Sequence, residues 1–162
     1  MDLITEFLNS EKTLYLFAGI IGVFSMLVGL LFLLFSNHNS FAITMIVIGI
    51  LEMLVMFPTY IKYQEKINEK ISIYENNKTD FFEKESISSE KALKSFFWLK
   101  LIYAVFIIIF ILVMSFLNPN SFFYGILMAL ILHLTFAITI DNFGEKYTKK
   151  YLTKIVMVKN LL

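Results

Sequence analysis

Leu14 to Phe35 is a run of 22 residues without one charged side chain. A helix rises about 1.5 Å per residue, so such a run covers the ~30 Å hydrocarbon layer of a bilayer. Three more runs follow. Phe41 to Phe57 is interrupted only by Glu52, Leu101 to Leu117 is uncharged, and Phe122 to Ile140 is interrupted only by His133. Soluble helices of this length carry a polar face, and these do not. Hydrophobic residues make up 58% of the 162, more than a soluble core of this size can bury. The expected fold is therefore an all-α integral membrane protein, with spans at about residues 14–35, 41–58, 99–117 and 122–140.

The spans pair into two helical hairpins. Ser36-Asn37-His38-Asn39-Ser40 joins the first pair, and Asn118-Pro119-Asn120-Ser121 joins the second. Asn, Ser and Pro stop helices and satisfy free backbone groups locally. All 14 basic residues are Lys, and neither turn holds one. Lys12 precedes the first span, seven lie between Lys62 and Lys94, Lys100 stands at the mouth of the third span, and five follow the fourth. The positive-inside rule then puts the N-terminus, the central segment and the C-terminus in the cytoplasm. The first run is too long for a signal-peptide core and is expected to remain as a span. Abundant Ile, Lys, Asn and Phe without Arg fits an AT-rich bacterial genome, so the expected location is a bacterial inner membrane.

The whole chain, 1–162, reads as one four-span membrane domain with helical extensions into the cytoplasm. Residues 61–95 form a helical connector. From Thr59 to Tyr74, at its start, Tyr60, Ile67, Ile71 and Tyr74 recur on one side, and Asn76 to Asp80 reads as a break. Ser88 or Ser89 is the expected N-cap of the helix entering the third span. Residues 145–162 form a basic amphipathic tail, in which Tyr147, Tyr151, Ile155 and Val158 share a face. That face suits an anionic membrane surface or the other cytoplasmic helix. The two halves also resemble each other at an offset of 81 residues, where Asn37-His38-Asn39-Ser40-Phe41 meets Asn118-Pro119-Asn120-Ser121-Phe122. This suggests an internal repeat of parallel sense.

Lipid gives helices no hydrophobic reason to associate, so small residues mark close approach. Ala18, Gly22, Ser25 and Gly29 form a stripe on span one. Ala42 and Gly49 do so on span two, and Gly125, Ala129 and Ala137 on span four. Spans one, two and four are expected to pack closely, with span three facing lipid, unless the stripes form a homodimer interface.

Glu52 and His133 carry the sharpest chemical signal. Counted by helix rise, Glu52 lies about 16 Å from Phe41 and His133 about 18 Å from Ser121, so both sit near mid-membrane. An acid there costs roughly 2.5–3.5 kcal/mol and normally finds a partner. His133 is the expected one, with the hydroxyls of Ser25, Thr44 and Thr135 as other candidates. Lys100 and Asp141 are expected to pair at the cytoplasmic boundary, or to snorkel separately. Cys is absent, which excludes disulfides and cysteine nucleophiles. One Glu and one His are too few for a metal site, and a single mid-span His makes a weak haem ligand. Gly-rich phosphate loops and hydrolase motifs are missing, so no catalytic residue, metal or cofactor is expected. The Lys-rich tail has no recognition domain to go with it, so no nucleic-acid partner is expected.

Phe57-Pro58-Thr59-Tyr60-Ile61-Lys62-Tyr63 and, across a polar segment, Ala92-Leu93-Lys94-Ser95-Phe96-Phe97 resemble an uncharacterised family of small four-span bacterial membrane proteins common in Bacteroidetes. Its members share the aromatic-Pro-x-Tyr helix exit and the Lys-Ser-aromatic entry to span three. The resemblance covers the middle third of the chain and implies fold and location only. The leading functional expectation is a non-enzymatic, membrane-embedded interaction protein, either an accessory subunit or a toxin-immunity factor. Its partners are the lipid bilayer and another membrane protein or a second copy. The alternative is a small proton-coupled transporter, dimeric, with Glu52 as coupling group beside His133.

Overall fold

The structure, a computed structural model, describes residues 2–159. The last three residues of the expected 145–162 tail lie outside the described residues. Four helices account for the fold: α1 (Asp2–Phe35), α2 (Asn39–Asn76), α3 (Lys78–Met114) and α4 (Phe122–Lys159). Among the described residues there is no strand. The chain is an all-α four-helix bundle, and each helix is long and apolar enough to cross a membrane. At 34–38 residues the helices run about 51–57 Å, far beyond the ~30 Å they need. The surplus of every helix falls at the same pole and forms a polar-surfaced head.

The largest core of the molecule lies in that head, not between the spans. Ile4, Phe7 and Leu8 of α1 meet Tyr63 and Ile67 of α2, Phe81 and Phe82 of α3, and Tyr151 and Ile155 of α4. Phe7 and Tyr151 stack with ring centroids 3.9 Å apart. Water drives this packing, because the head is where apolar burial is rewarded. The amphipathic face of α4 is therefore covered by the other three helices, with Tyr147 and Val158 at its margin. The first three turns of α1, which carry no expected helix, supply a third of this core. Their period-3.6 pattern is short, and Glu6 and Lys12 interrupt it.

Two other boundaries differ from expectation. Helix α3 starts at Lys78 rather than near Ser88 or Ser89. Asn77 caps it, its side chain accepting from the Asp80 N–H at 3.1 Å. Ser89 instead sits buried inside the helix. Helix α3 also ends at Met114, short of Leu117. The Ser115 hydroxyl donates back to Leu112 O at 2.7 Å, and Pro119 bars continuation. Pro58 does not end α2, which runs through it.

Between the spans the small residues govern the geometry. A Cβ added to Gly22 lands 2.8 Å from Gly49 O, and one added to Gly29 lands 2.7 Å from Ala42 O. Helices α1 and α2 thus approach backbone to backbone. Gly125 admits Ser40 and Phe41 of α2, and Ala129 packs fully buried against Phe41 and Met45. Helix α3 lies along α4, and its apolar stretch holds no buried residue.

Candidate functional site

The stripe on α4 repeats every four residues: Gly125, Ala129, His133, Ala137 and then Asp141. Residues four apart share a helix face. His133 therefore shares a face of α4 with the buried Ala129 and faces Glu52 of α2, at the level where Gly22 of α1 leaves room. A Cβ on Gly22 meets Glu52 Cβ at 3.0 Å, so the missing side chain is what lets Glu52 stand there.

Glu52 and His133 are brought together, with His133 Nε2 4.0 Å from Glu52 Oε2. That is too long for a hydrogen bond. His133 Nδ1 lies 2.9 Å from Ala129 O. A carbonyl only accepts, so Nδ1 carries a proton, and in the neutral form of the ring Nε2 is then a bare lone pair. Among the described residues, neither Nε2 nor Glu52 Oε2 has a hydrogen-bond partner, although both atoms are buried. The hydroxyls do not help. Thr44 donates to Ser40 O and Thr135 to Ile131 O, each at 2.8 Å, while Ser25 Oγ is buried without a partner.

Glu52 sits at the foot of a cavity of about 280 Å³ that all four helices line. Glu11, Tyr15 and Ala18 come from α1, Glu52 and Met56 from α2, Phe96 and Tyr103 from α3, and Phe136, Ala137, Ile140, Asp141 and Gly144 from α4. Three of the lining residues are acids, and none is Lys or His. At the upper rim, Tyr63 donates to Glu11 and accepts from Lys66 Nζ at 3.0 Å. Burial, then the Glu11 carboxylate, pushes the Tyr63 phenol up, which keeps it a proton donor.

The expected Lys100–Asp141 pair does not form. Lys100 binds Glu145 and donates to Asn142 Oδ1 at 2.9 Å. Asn142 and Glu145 are three apart and flank one side of α4, whereas Asp141 continues the inward stripe and turns into the cavity. Its Oδ2 is buried without a partner. Lys100, then Lys149, holds the Glu145 carboxyl below its ordinary range through their hydrogen bonds.

Glu11, Tyr15 and Tyr103 belong to the site and carried no expectation. The signal for two of them was present: Glu11, Tyr15, Ala18 and Gly22 follow one another at steps of four, three and four on α1. Tyr103 on the apolar α3 had none. Among the described residues, no three His, Cys, Asp or Glu side chains converge where a metal could be held. The arrangement can instead exchange a proton between a carboxyl and an imidazole, or hold a cation against carboxylates. No family model, curated protein or solved structure matches the chain.

Proposed function

We propose that this multi-pass protein is a non-enzymatic, proton-linked carrier of a bacterial inner membrane, with both termini in the cytoplasm. One observation carries the reading. Two acceptor atoms, Glu52 Oε2 and His133 Nε2, face each other across 4.0 Å in the membrane with no donor between them. A proton on either atom supplies the missing donor once the two groups close from 4.0 Å to hydrogen-bonding distance, and its loss leaves a buried carboxylate. Ionisable groups inside a span usually mark an ion or proton path, and here a cavity leads from the pair to the head. The lysines of the head and their absence from both turns support its cytoplasmic placement. The test is proteoliposomes loaded with a pH-sensitive dye under a pH gradient. Wild type dissipates the gradient faster than Glu52→Gln. Equal rates for wild type, variant and empty vesicles contradict the reading and make the pair a structural contact.

The interaction reading, as an accessory subunit or immunity factor, is favoured by a different observation. The apolar stretch of α3 has no buried residue, so a partner helix or a second copy has a free face to occupy. Crosslinking in native membranes, followed by mass spectrometry, separates the two. A stoichiometric second protein supports the interaction reading, and self-crosslinks alone support a carrier dimer.

A further inference from the structure

We propose that the cavity above Glu52 takes a small organic cation, an amine or quaternary ammonium on an apolar body. This rests on the carrier reading and names its substrate class. The sign comes first: Glu11, Glu52 and Asp141 line the cavity and no basic residue does. An anion there would meet three carboxyl groups, of which, among the described residues, only Glu11 has a lysine within 4 Å, Lys66 at 3.8 Å. The remaining wall is apolar, with Tyr15, Phe96, Tyr103 and Phe136 contributing aromatic rings. Ring faces attract ammonium groups, most strongly where water is excluded. A bare metal ion needs converging oxygen or nitrogen donors, and among the described residues none converge.

The second observation is the imidazole. The His133 side chain is 7% exposed, and its free Nε2 is aimed at the Glu52 carboxyl that floors the cavity. Among the described residues, His133 Nε2, Glu52 Oε2 and Asp141 Oδ2 have no hydrogen-bond partner, and a donor or a positive charge in the cavity would satisfy the two carboxyls. Glu52 stands at the level of His133, and Asp141 lies eight residues further along α4, about 12 Å by helix rise. The two carboxyls thus stand at different depths of the cavity, with Glu11 at its upper rim. At about 280 Å³ it lies at the small end of the ~300–1,000 Å³ range of ligand pockets, which fits one ring and a short chain. Entry of the cation displaces the proton from the Glu52 carboxyl. Cation and proton thus compete for one carboxyl, and the site without a cation still takes up and releases its proton.

The test is calorimetric titration of the whole chain in lipid nanodiscs with three probes of one shape: 4-phenylbutylamine, 4-phenylbutanol and 4-phenylbutanoate. The amine, charged at neutral pH, is expected to bind at least tenfold more tightly than the alcohol, and the carboxylate not at all. Glu52→Gln and Asp141→Asn are each expected to weaken the amine about tenfold and leave the alcohol unchanged. Ala137→Phe, which fills the cavity and leaves every charge in place, is expected to abolish binding of both. Equal affinity for amine and alcohol, absence of amine binding, or amine binding that survives Ala137→Phe overturns the proposal. Gradient dissipation by wild type without any added amine tests the carrier reading separately. Its persistence beside a failed titration removes the substrate class and leaves the proton site.

Discussion

Replacing Gly49 by Ala tests whether backbone contact between α1 and α2 sets the geometry of the membrane half. The added methyl lies 2.5 Å from Gly22 O and 2.9 Å from Met26 N. Ordinary contact begins near 3.4 Å, so the two backbones must part by about 0.9 Å. Neither obstacle can swing away, because both are main-chain atoms of a continuous helix. Overpacking of this kind costs roughly 1–3 kcal/mol. Ala gains up to about 1 kcal/mol over Gly in helix propensity, which leaves a net loss of up to about 2 kcal/mol; an approach as close as 2.5 Å to a main-chain oxygen puts the variant at the upper part of that range. Gly19→Ala is the internal control. Its methyl meets only the Phe57 ring, at 2.8 Å, and a ring at the end of a side chain can turn. It is expected to cost less than about 0.5 kcal/mol after the propensity gain. The assay is reversible SDS titration in mixed micelles, read by the fluorescence of Trp98, the single tryptophan. Gly49→Ala as stable as wild type, or Gly19→Ala as damaging as Gly49→Ala, would refute the reasoning.

Other expectations concern the head and the topology. Glu85 accepts from Lys70 and from the Tyr151 hydroxyl at 3.1 Å, so Glu85→Ala strands a buried donor and is expected to cost about 1–3 kcal/mol in thermal unfolding. The folded Glu145 carboxyl is held below its ordinary 4.5 by Lys100 and Lys149, so its stabilising contribution is complete above that pH and lost as pH falls through the lowered value. Amide protection around Lys100 and Glu145, corrected for the intrinsic exchange rate at each pH, is accordingly expected to fall below about pH 4.5 and stay constant from there to neutrality. A Cys placed at Asn39 is expected to react with an impermeant thiol reagent only from outside the cell, and one at Glu65 only from inside. The reverse pattern would invert the proposed orientation.

How much of this was legible in the sequence depends on which solvent each segment meets. Span existence followed from charge-free length alone, and the close pairing of α1 with α2 from Gly22, Gly29 and Gly49. The mid-membrane meeting of Glu52 and His133 followed from counting helix rise. What escaped was direction around the helix axis near the boundary. Asp141 looked like a partner for Lys100 because both stand at one depth, yet it falls on the His133 face, and Lys100 reaches past it to Glu145. The head escaped for another reason. Its core takes two or three residues from each of four helices, and no single segment displays it. Ile4, Phe7 and Leu8 acquire meaning only once Tyr151 and Phe82 are beside them. The N-cap at Asn77 was masked by a local Asn-Asn-Lys-Thr-Asp sequence that reads equally as a loop; one residue of it, not five, turns the chain.

The central claim is that Glu52 and His133 act as one unit at the foot of the cavity. A double-mutant cycle measures this most directly, using Glu52→Gln, His133→Phe and the pair, each followed by SDS unfolding and by proton flux in proteoliposomes. Groups 4.0 Å apart that share a proton are expected to show a coupling energy of roughly 0.5–3 kcal/mol. The double variant should then carry no more proton flux loss than Glu52→Gln alone. Stabilities that add to within about 0.3 kcal/mol, with flux unchanged by either substitution, would contradict the account.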